Sequence, residues 1–238
     1  MSNRVVLIRH DDSPDDDRVV TWFRAQNIEP EIVRPYLGES LGAVRDGVAA
    51  SVVYGGPFDV FETERYPFLL EEHRWIEECL AEDIPLLGIC QGAQSIAYTL
   101  GARCGPIEGE PHEFGYYELH PTEAGQDLFP DTLRVTQSHY HEFAIPSGAV
   151  RLAGSELFPN QAMRYGDKTY GFQFHAEVTL RGFKRWQITD AKHYGKPGAQ
   201  TREEQDRLGP ECDQIQHDWF MSFMGKLFGA HAELAKAA

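Results

Sequence analysis

The sequence is poor in cysteine and contains no paired cysteine motif. Its 238 residues include only Cys79, Cys90, Cys104 and Cys212, and no two of them have CxxC spacing. So few unpaired cysteines argue against both a disulfide framework and a zinc ribbon. Each of the four is therefore either a buried thiol or a candidate nucleophile.

Basic residues are also scarce. The chain has 22 Lys and Arg against 37 Asp and Glu, which gives a formal net charge of −15. A protein of this charge repels nucleic-acid phosphates and anionic lipids at long range. We therefore expect a small-molecule or peptide substrate, and neither a nucleic-acid nor a membrane partner.

Long apolar runs are missing as well. The first apolar run, at residues 5–8, ends in charged residues after four positions. It is too short for a signal peptide or a membrane span, so a cytoplasmic location is expected. With 42% hydrophobic and 25% charged residues, the composition is that of an ordinary globular chain.

Short apolar segments alternate with amphipathic ones through the first hundred residues. The apolar segments, rich in β-branched and aromatic residues, predict strands at 5–8, 48–54, 85–89, 133–136, 150–153 and 170–174. Helical spacing predicts helices at 15–27, 66–82 and 92–100. This alternation indicates an α/β fold with a parallel sheet covered on both faces. The strand-rich region 113–174 suggests antiparallel additions.

The last fifty residues differ in character from the rest. Polar sequence leads into residues 215–228, which carry an apolar stripe made of Trp219, Phe220, Phe223, Met224 and Leu227. We expect a catalytic domain at 1–188 and a helical extension at 189–238 packed on it. A partner-binding surface is the alternative for the stripe.

Cys90 has the sequence surroundings of a nucleophile. It lies between a predicted buried strand and a predicted helix, and Gly88 and Gly92 flank it at two residues on each side. Flanking glycines permit a tight turn that exposes the side chain at the carboxyl edge of the sheet. The helix amino terminus favours the thiolate there. The other three cysteines lack this setting and are predicted to be buried thiols.

A thiolate nucleophile also needs a proton acceptor and an oxyanion site. His175 follows a predicted strand, and Glu177 stands two residues later, where it can face the same way and orient the imidazole. A solvated strand end is the alternative explanation. The Gly-Gly-Pro turn at 55–57 leaves backbone N–H groups free, so Gly56 and Gln91 are candidate oxyanion donors.

Three motifs occur in a fixed order: Gly-Gly-Pro, Gly-Ile-Cys-Gln-Gly-Ala-Gln, and Gly-Phe-Gln-Phe-His-Ala-Glu-Val. Together they resemble the class I glutamine amidotransferases over roughly residues 5–188, especially the glutaminase domain of GMP synthase and its stand-alone relatives. The resemblance implies a three-layer sandwich with a mostly parallel central sheet, antiparallel additions and a helical tail.

The resemblance also implies residue roles. Cys90 would be the nucleophile, His175 the base and Glu177 its partner. Gly56 and Gln91 match the oxyanion hole, and Gln94 matches a glutamine that contacts substrate.

Two positions depart from the family pattern. Ala176 replaces the usual proline between histidine and glutamate, which removes no reacting group. In the segment 137–143, which resembles the Ser-His-Gly-Asp substrate-reading motif, Tyr140 and His141 replace Gly-Asp. Ser138, His139 and Tyr140 are thus candidate substrate-binding residues for a substrate that need not be glutamine itself.

We predict neither a metal nor a cofactor. His139 and His141 alternate along a predicted strand, but zinc requires three or four converging ligands and would capture a catalytic thiol. The acidic run at 11–17 is explained by a solvated loop and a helix amino terminus.

The predicted activity is hydrolysis of the γ-amide of glutamine, or of a γ-glutamyl compound, through a cysteinyl thioester that releases ammonia. A γ-glutamyl peptidase acting on a peptide-like or polyamine-derived substrate is one alternative, and a catalytically silent regulatory or scaffold subunit is another. The sequence lacks a phosphate-cradling Gly-rich Lys motif, so a separate synthetase subunit could receive the ammonia.

Overall fold

The computed structural model describes residues 4–236, with side chains as far as residue 230. Its strands are β1 (Arg4–Ile8), β2 (Glu31–Val33), β3 (Val48–Val53), β4 (Leu86–Ile89), β5 (Cys104–Pro106), β6 (Glu113–Pro121), β7 (Leu133–His139), β8 (His141–Phe143), β9 (Ala149–Gly154), β10 (Ala162–Tyr165) and β11 (Thr169–Phe172). Its α-helices are α1 (Arg18–Ala25), α2 (Phe68–Ala81), α3 (Gln91–Thr99), α4 (Leu180–Thr189) and α5 (Arg202–Lys236).

Nine of the described strands form one mixed sheet in the order β2-β1-β3-β4-β11-β10-β9-β6-β7. The neighbours from β2 through β11 are parallel, and the remaining four strands continue the sheet antiparallel. Because β11 pairs in parallel with β4 and Phe172 lies opposite Ile89, the segments after both strands leave the sheet at the same edge. The predicted α/β fold with antiparallel additions is confirmed.

Helices cover both faces of the parallel part of the sheet, as the alternating side chains of β1 show. Val5 and Leu7 pack into a core shared with α1 and α5, whereas Val6 and Ile8 pack into a core shared with α2 and α3. Side chains that alternate between the two faces of a strand produce this division. The result is the three-layer arrangement that the sequence indicated.

Most element boundaries differ from the sequence predictions by a few residues, and three of the differences affect the site or the tail. Helix α1 begins at residue 18 rather than 15, because the Asp17 carboxylate accepts the N–H groups of Val19 and Val20 and caps the helix there. Strand β11 ends at Phe172, two residues earlier than predicted. Helix α5 begins thirteen residues before the predicted 215–228, since its first turns are polar and show no apolar stripe.

Helix α5 packs its stripe against the sheet. Phe220, Phe223 and Met224 are buried in the same core as α1 and β11. The predicted boundary between residues 188 and 189 falls within the last turn of α4. Among the described residues, no helix combines the length and apolar character that a membrane span requires.

Candidate active site

Cys90 lies at the junction of β4 and α3 in a strained backbone conformation. Its φ is 52° and its ψ is −108°, a region that residues other than glycine rarely adopt. The Cys90 N–H donates to the Phe172 carbonyl at 2.7 Å, which fixes the turn to β11. A β-carbon added to Gly92 would stand 1.9 Å from the Val53 carbonyl oxygen, and one added to Gly88 2.5 Å from the Gly92 oxygen. The flanking glycines thus let α3 approach the sheet closely enough to form the turn.

His175 lies beside Cys90 in the segment that follows β11. Its N–H donates to the Thr136 carbonyl at 2.8 Å, which ties the segment to β7. A β-carbon placed on Gly55 would stand 2.7 Å from His175 Cε1, 3.3 Å from Cys90 Cβ and 3.5 Å from His175 Nε2. Cys90 and the Nε2 edge of the imidazole therefore meet directly above Gly55, where only glycine fits.

Glu177 orients the imidazole from its other side. The His175 Nδ1–H donates to Glu177 Oε1 at 2.7 Å, and both side chains are buried. The strand-end geometry expected from the sequence is wrong, because β11 has ended and residues 176–177 form a turn. The turn brings the carboxylate back to the ring, so the predicted pair forms by a different route.

The surroundings of His175 favour its charged form. Complete burial opposes the positive charge, but the carboxylate of Glu177 and the sulfur of Cys90 outweigh it and raise the pKa of His175 to about 10. Trp186 covers the ring edge-to-face at a centroid distance of 4.7 Å. This arrangement suits a thiolate and imidazolium pair, which can attack a carbonyl and then protonate a leaving group.

The two predicted oxyanion donors stand next to the thiol. Gln91 is the first residue of α3, where a helix N–H has no intrahelical acceptor. Neither its N–H nor that of Gly56 has an acceptor within residues 4–236. Both residues line the same cavity as Cys90. Two free amides beside a nucleophile can stabilise negative charge on a carbonyl oxygen.

The predicted substrate-binding residues all line this cavity, but they differ in whether their side chains already have hydrogen-bond partners in the protein. Gln94 uses its amide to donate to Gln173 Oε1 at 3.0 Å. The ring of His139 is occupied on both sides, by Glu113 Oε2 at 2.9 Å and by the His141 carbonyl at 2.9 Å. Tyr140 is 42% exposed at the rim and stacks on His112 at 5.0 Å. Tyr140 is therefore better placed than His139 to meet a ligand with its side chain.

Gln173 is a site residue that sequence reasoning did not assign. Its Nε2 donates to Cys90 Sγ at 3.5 Å while its Oε1 accepts from Gln94. The side chain of Gln173 therefore links the Cys90 sulfur to Gln94. The available signal was a glutamine between Phe172 and Phe174 in an otherwise apolar segment.

Three further residues that the sequence did not assign to the site, Arg9, Asp17 and Tyr54, line one wall of the cavity. The hydroxyl of Tyr54 donates to Asp17 Oδ1 at 2.9 Å, and Arg9 pairs with the other oxygen of Asp17. Burial raises the pKa of Asp17, and the charge of Arg9 opposes that rise. These residues fix α1 against the end of β3. Asp17 also caps α1, which agrees with the helix amino terminus expected within the acidic run.

The other cysteines are held as thiols. Burial raises the pKa of Cys104 to about 12, and it also raises the pKa values of Cys79 and Cys212. None of the three lines the cavity. Cys90 is thus the cysteine that the fold presents to a ligand.

The cavity has a volume of about 600 Å³ and is bordered by several carboxylates. Two arginines in its wall form ion pairs with aspartates. Arg185 donates two hydrogen bonds to Asp16, and Arg9 pairs with Asp17. Asp59 pairs with His141 at 3.2 Å. Within the described part of the chain, no three His, Cys, Asp or Glu side chains converge as metal ligands would.

Fold and site together define a class of protein: an α/β sandwich with a strained cysteine, a histidine and glutamate pair and two free amides at the carboxyl edge of its sheet. The sequence profile of the family described as glutamine amidotransferase class-I matches residues 19–190. This chain belongs to that family.

Individual relatives agree with the assignment. The chain is 30% identical to the glutamine amidotransferase-like protein YfeJ of Salmonella typhimurium over 74% of its own length and 77% of that protein. It is 33% identical to the GMP synthase (glutamine-hydrolyzing) of Porphyromonas gingivalis over 56% of its own length and 25% of the synthase. The chain thus matches about a quarter of the synthase.

A solved structure shows the likeness in three dimensions. A glutamine amidotransferase of Thermotoga maritima superposes with a TM-score of 0.82 and 31% identity, covering 95% of this chain and 98% of that one. The predicted resemblance to class I glutamine amidotransferases is confirmed.

Proposed function

We propose that this chain hydrolyses the γ-amide of glutamine, or of a γ-glutamyl compound, through a thioester on Cys90. The observation that carries the proposal is the meeting of Cys90 with the Nε2 edge of His175 over Gly55, with Glu177 on the opposite ring nitrogen at 2.7 Å. A nucleophile, a base and an orienting acid in this arrangement are those of covalent acyl transfer.

The first half of the reaction forms the thioester. The Cys90 thiolate attacks the amide carbonyl carbon, and the electron pair moves to the oxygen between the N–H groups of Gly56 and Gln91. The tetrahedral intermediate collapses when His175 transfers its Nε2 proton to the departing nitrogen, which leaves as ammonia or an amine.

The second half regenerates the enzyme. Neutral His175 removes a proton from water, and the hydroxide attacks the thioester carbon. Collapse expels the Cys90 thiolate beside the newly protonated imidazolium and releases the γ-carboxylate product. Glu177 keeps the Nδ1–H of the ring directed away from the reaction in both halves.

A Cys90→Ala variant tests the proposal. We expect it to release no ammonia from glutamine and no amine from γ-glutamyl amides, whereas Cys212→Ala retains wild-type rates because Cys212 does not line the cavity. Retention of hydrolysis in Cys90→Ala would contradict the proposed mechanism. Ammonia release is measured by a coupled dehydrogenase assay and amine release by chromatography.

The segment 138–141 favours a γ-glutamyl peptidase or hydrolase as the second candidate. Tyr140 and the pair of His141 with Asp59 stand where the family motif has Gly-Asp, so the pocket that would receive the ends of glutamine is altered. Ratios of kcat/KM for glutamine, γ-glutamyl dipeptides and γ-glutamyl polyamines separate the candidates. A preference for glutamine points to ammonia production, for which a separate synthetase subunit is the expected acceptor.

A silent regulatory or scaffold subunit is the remaining alternative. The glutamine-like electrophile diazo-oxo-norleucine is expected to label Cys90 stoichiometrically, because an intact site activates that thiol. Failure of labelling, with candidate partner subunits both present and absent, would support the silent subunit instead.

A further inference from the structure

A further buried histidine and glutamate pair lies directly behind the Gly-Gly-Pro turn. His10 follows β1 and Glu72 lies on α2, 62 residues away. The His10 Nε2–H donates to Glu72 Oε1 at 3.0 Å, and the Nδ1–H donates to the Gly55 carbonyl at 3.2 Å. Both side chains are fully buried and neither lines the cavity, so neither can touch a substrate.

The hydrogen bonds indicate the charge state of this pair. A carboxylate and a carbonyl oxygen are both acceptors, so both nitrogens of His10 must carry protons. Burial opposes the charge, but the carboxylate of Glu72 outweighs it and raises the pKa of His10. The hydrogen bond to Gly55 therefore comes from a charged donor, which makes it stronger than one from a neutral group.

The geometry of the peptide bond connects this donor to the active site. The Gly55 carbonyl and the Gly56 N–H belong to one trans peptide unit, in which they point in opposite directions. When His10 holds the carbonyl on one side, the Gly56 N–H is directed to the other side. Gly55 and Gly56 both line the cavity, whereas His10 does not.

The turn is also held from its far end. The Gln91 side chain accepts the Phe58 N–H through Oε1 at 2.9 Å. A β-carbon on Gly56 would stand 2.4 Å from His10 Cβ and 2.7 Å from Gln91 Oε1, so the two side chains enclose the turn without spare room. The peptide cannot rotate freely between these two contacts.

We propose that His10 and Glu72 are positioning residues that direct the Gly56 N–H toward the oxyanion and strengthen it as a donor. Polarisation of the Gly55 carbonyl by a charged group increases the donor strength of the N–H in the same peptide, as in other hydrogen-bonded chains. This inference rests on the proposed thioester mechanism, because only there does an oxyanion form.

Matched double variants test the positioning role. His10→Leu/Glu72→Leu removes both charges together, and replacing a buried ion pair by apolar residues is usually tolerated by the fold. His10→Asn/Glu72→Leu differs only at position 10, where the asparagine amide nitrogen can take the place of Nδ1 and donate to the Gly55 carbonyl. Glu78→Gln on the same helix is the control, since that carboxylate binds the N–H of Val44 instead.

The expected result is a loss in kcat without a matching change in KM. Removing an oxyanion donor outright costs about 10²- to 10³-fold, so misdirecting one is expected to lower kcat about 10- to 100-fold in the leucine pair. The asparagine pair recovers part of that loss, and Glu78→Gln keeps the wild-type kcat. Wild-type kcat in a folded leucine pair, or equal kcat in the leucine and asparagine pairs, would overturn the inference.

A binding measurement separates this inference from the proposed function. Glutaric semialdehyde forms a thiohemiacetal whose oxyanion uses the same donors without any turnover, and its affinity is read by protection of Cys90 from iodoacetamide. We expect weaker protection in the leucine pair and an unchanged alkylation rate without aldehyde. Equal protection overturns the inference alone, whereas wild-type protein that hydrolyses no glutamine or γ-glutamyl compound overturns the proposed function.

Discussion

Cys90 can occupy its strained backbone conformation because the neighbouring Gly88 and Gly92 let α3 pack closely against the sheet. A residue with φ of 52° costs about 1–3 kcal/mol and persists only where the surroundings hold it. Here the hydrogen bond to Phe172 and the approach of Gly92 to Val53 hold it. The strain therefore places the sulfur at the carboxyl edge of the sheet, and the close packing of α3 is part of the site.

Gly92→Ala is expected to damage the site more than the fold. The new β-carbon would stand 1.9 Å from a backbone oxygen, so α3 must shift and displace Cys90. We expect a loss of about 1–3 kcal/mol in the free energy of unfolding and a loss of most hydrolytic activity. Urea titration and initial rates measure both quantities.

Gly225→Ala is the matched control, because a β-carbon there meets nothing within 4 Å. It should leave activity unchanged and add a few tenths to about 1 kcal/mol of stability. If Gly92→Ala behaved like this control, the close approach would not be what places Cys90.

Glu177→Gln is expected to shift the pH profile. With Glu177 charged, the pKa of His175 is raised to about 10, so kcat/KM falls on the alkaline side only as pH rises through that value. Without the charge the imidazolium loses its proton earlier. We expect the alkaline limb to move down by about 1 to 3 pH units and kcat to fall about 10²-fold or more.

The pH profile of Glu204→Gln provides the comparison, since that carboxylate caps the exposed start of α5. An alkaline limb that stays in place in Glu177→Gln would show that another group titrates there.

Among whole elements, helix α5 holds the segment that carries the candidate residues His175 and Glu177. The buried Gln216 side chain accepts the Thr136 N–H at 2.6 Å and donates to Thr136 Oγ1 at 3.1 Å, and the Thr136 carbonyl in turn accepts the His175 N–H. Arg18 donates to the carbonyls of Ala176 and Val178 and pairs with Asp213 of α5. Two hydrogen-bonded connections therefore join one helix to the segment that carries His175 and Glu177.

Gln216→Met should weaken the fold and the reaction together. The variant leaves the buried Thr136 N–H unpaired, which costs about 1–3 kcal/mol. We expect kcat to fall several-fold with little change in KM, since the substrate contacts remain while His175 loses support. Ile215→Met is the control because Ile215 is 56% exposed on the same helix. Equal kcat in the two variants would mean that α5 supports stability alone.

Elements of the parallel sheet were predictable because buried strands form largely apolar runs, as in β3 and β4. Short strands such as β2 and β8 carry too few residues for a periodic signal. Cys90 and His175 could be proposed from the sequence because each follows such a run. Glu72 could not be proposed from the sequence, where it looks like an ordinary residue on the polar face of a helix. Its pairing with His10 is visible only in the folded structure.

The net charge of the whole molecule contributes to the way its stability responds to pH. At a formal net charge of −15, the excess negative side chains repel one another. This repulsion destabilises the folded state and grows as further groups lose protons at alkaline pH. That contribution is spread over the surface and is nearly the same in any single variant. A local effect can therefore be isolated as the difference between two proteins measured under the same conditions.

His175 supplies such a local effect on stability. Its folded pKa of about 10 lies above its ordinary value of 6.5, so its protonated form stabilises the fold fully below pH 6.5. This stabilisation is lost as pH rises through about 10. We expect the free energy of unfolding, measured by urea titration at the two ends of this interval, to decrease more in the wild type than in His175→Gln, by on the order of a few kcal/mol.

His217→Gln is the control for that comparison, because His217 lies on the exposed side of α5 beside Asp218. Its pH dependence should match that of the wild type, since the surface repulsion is unchanged and the His175 pair is intact. If His175→Gln also followed the wild-type curve, the imidazolium would gain no net stabilisation from its pairing with Glu177 and Cys90. The thiolate and imidazolium pair would then have to form only when substrate binds.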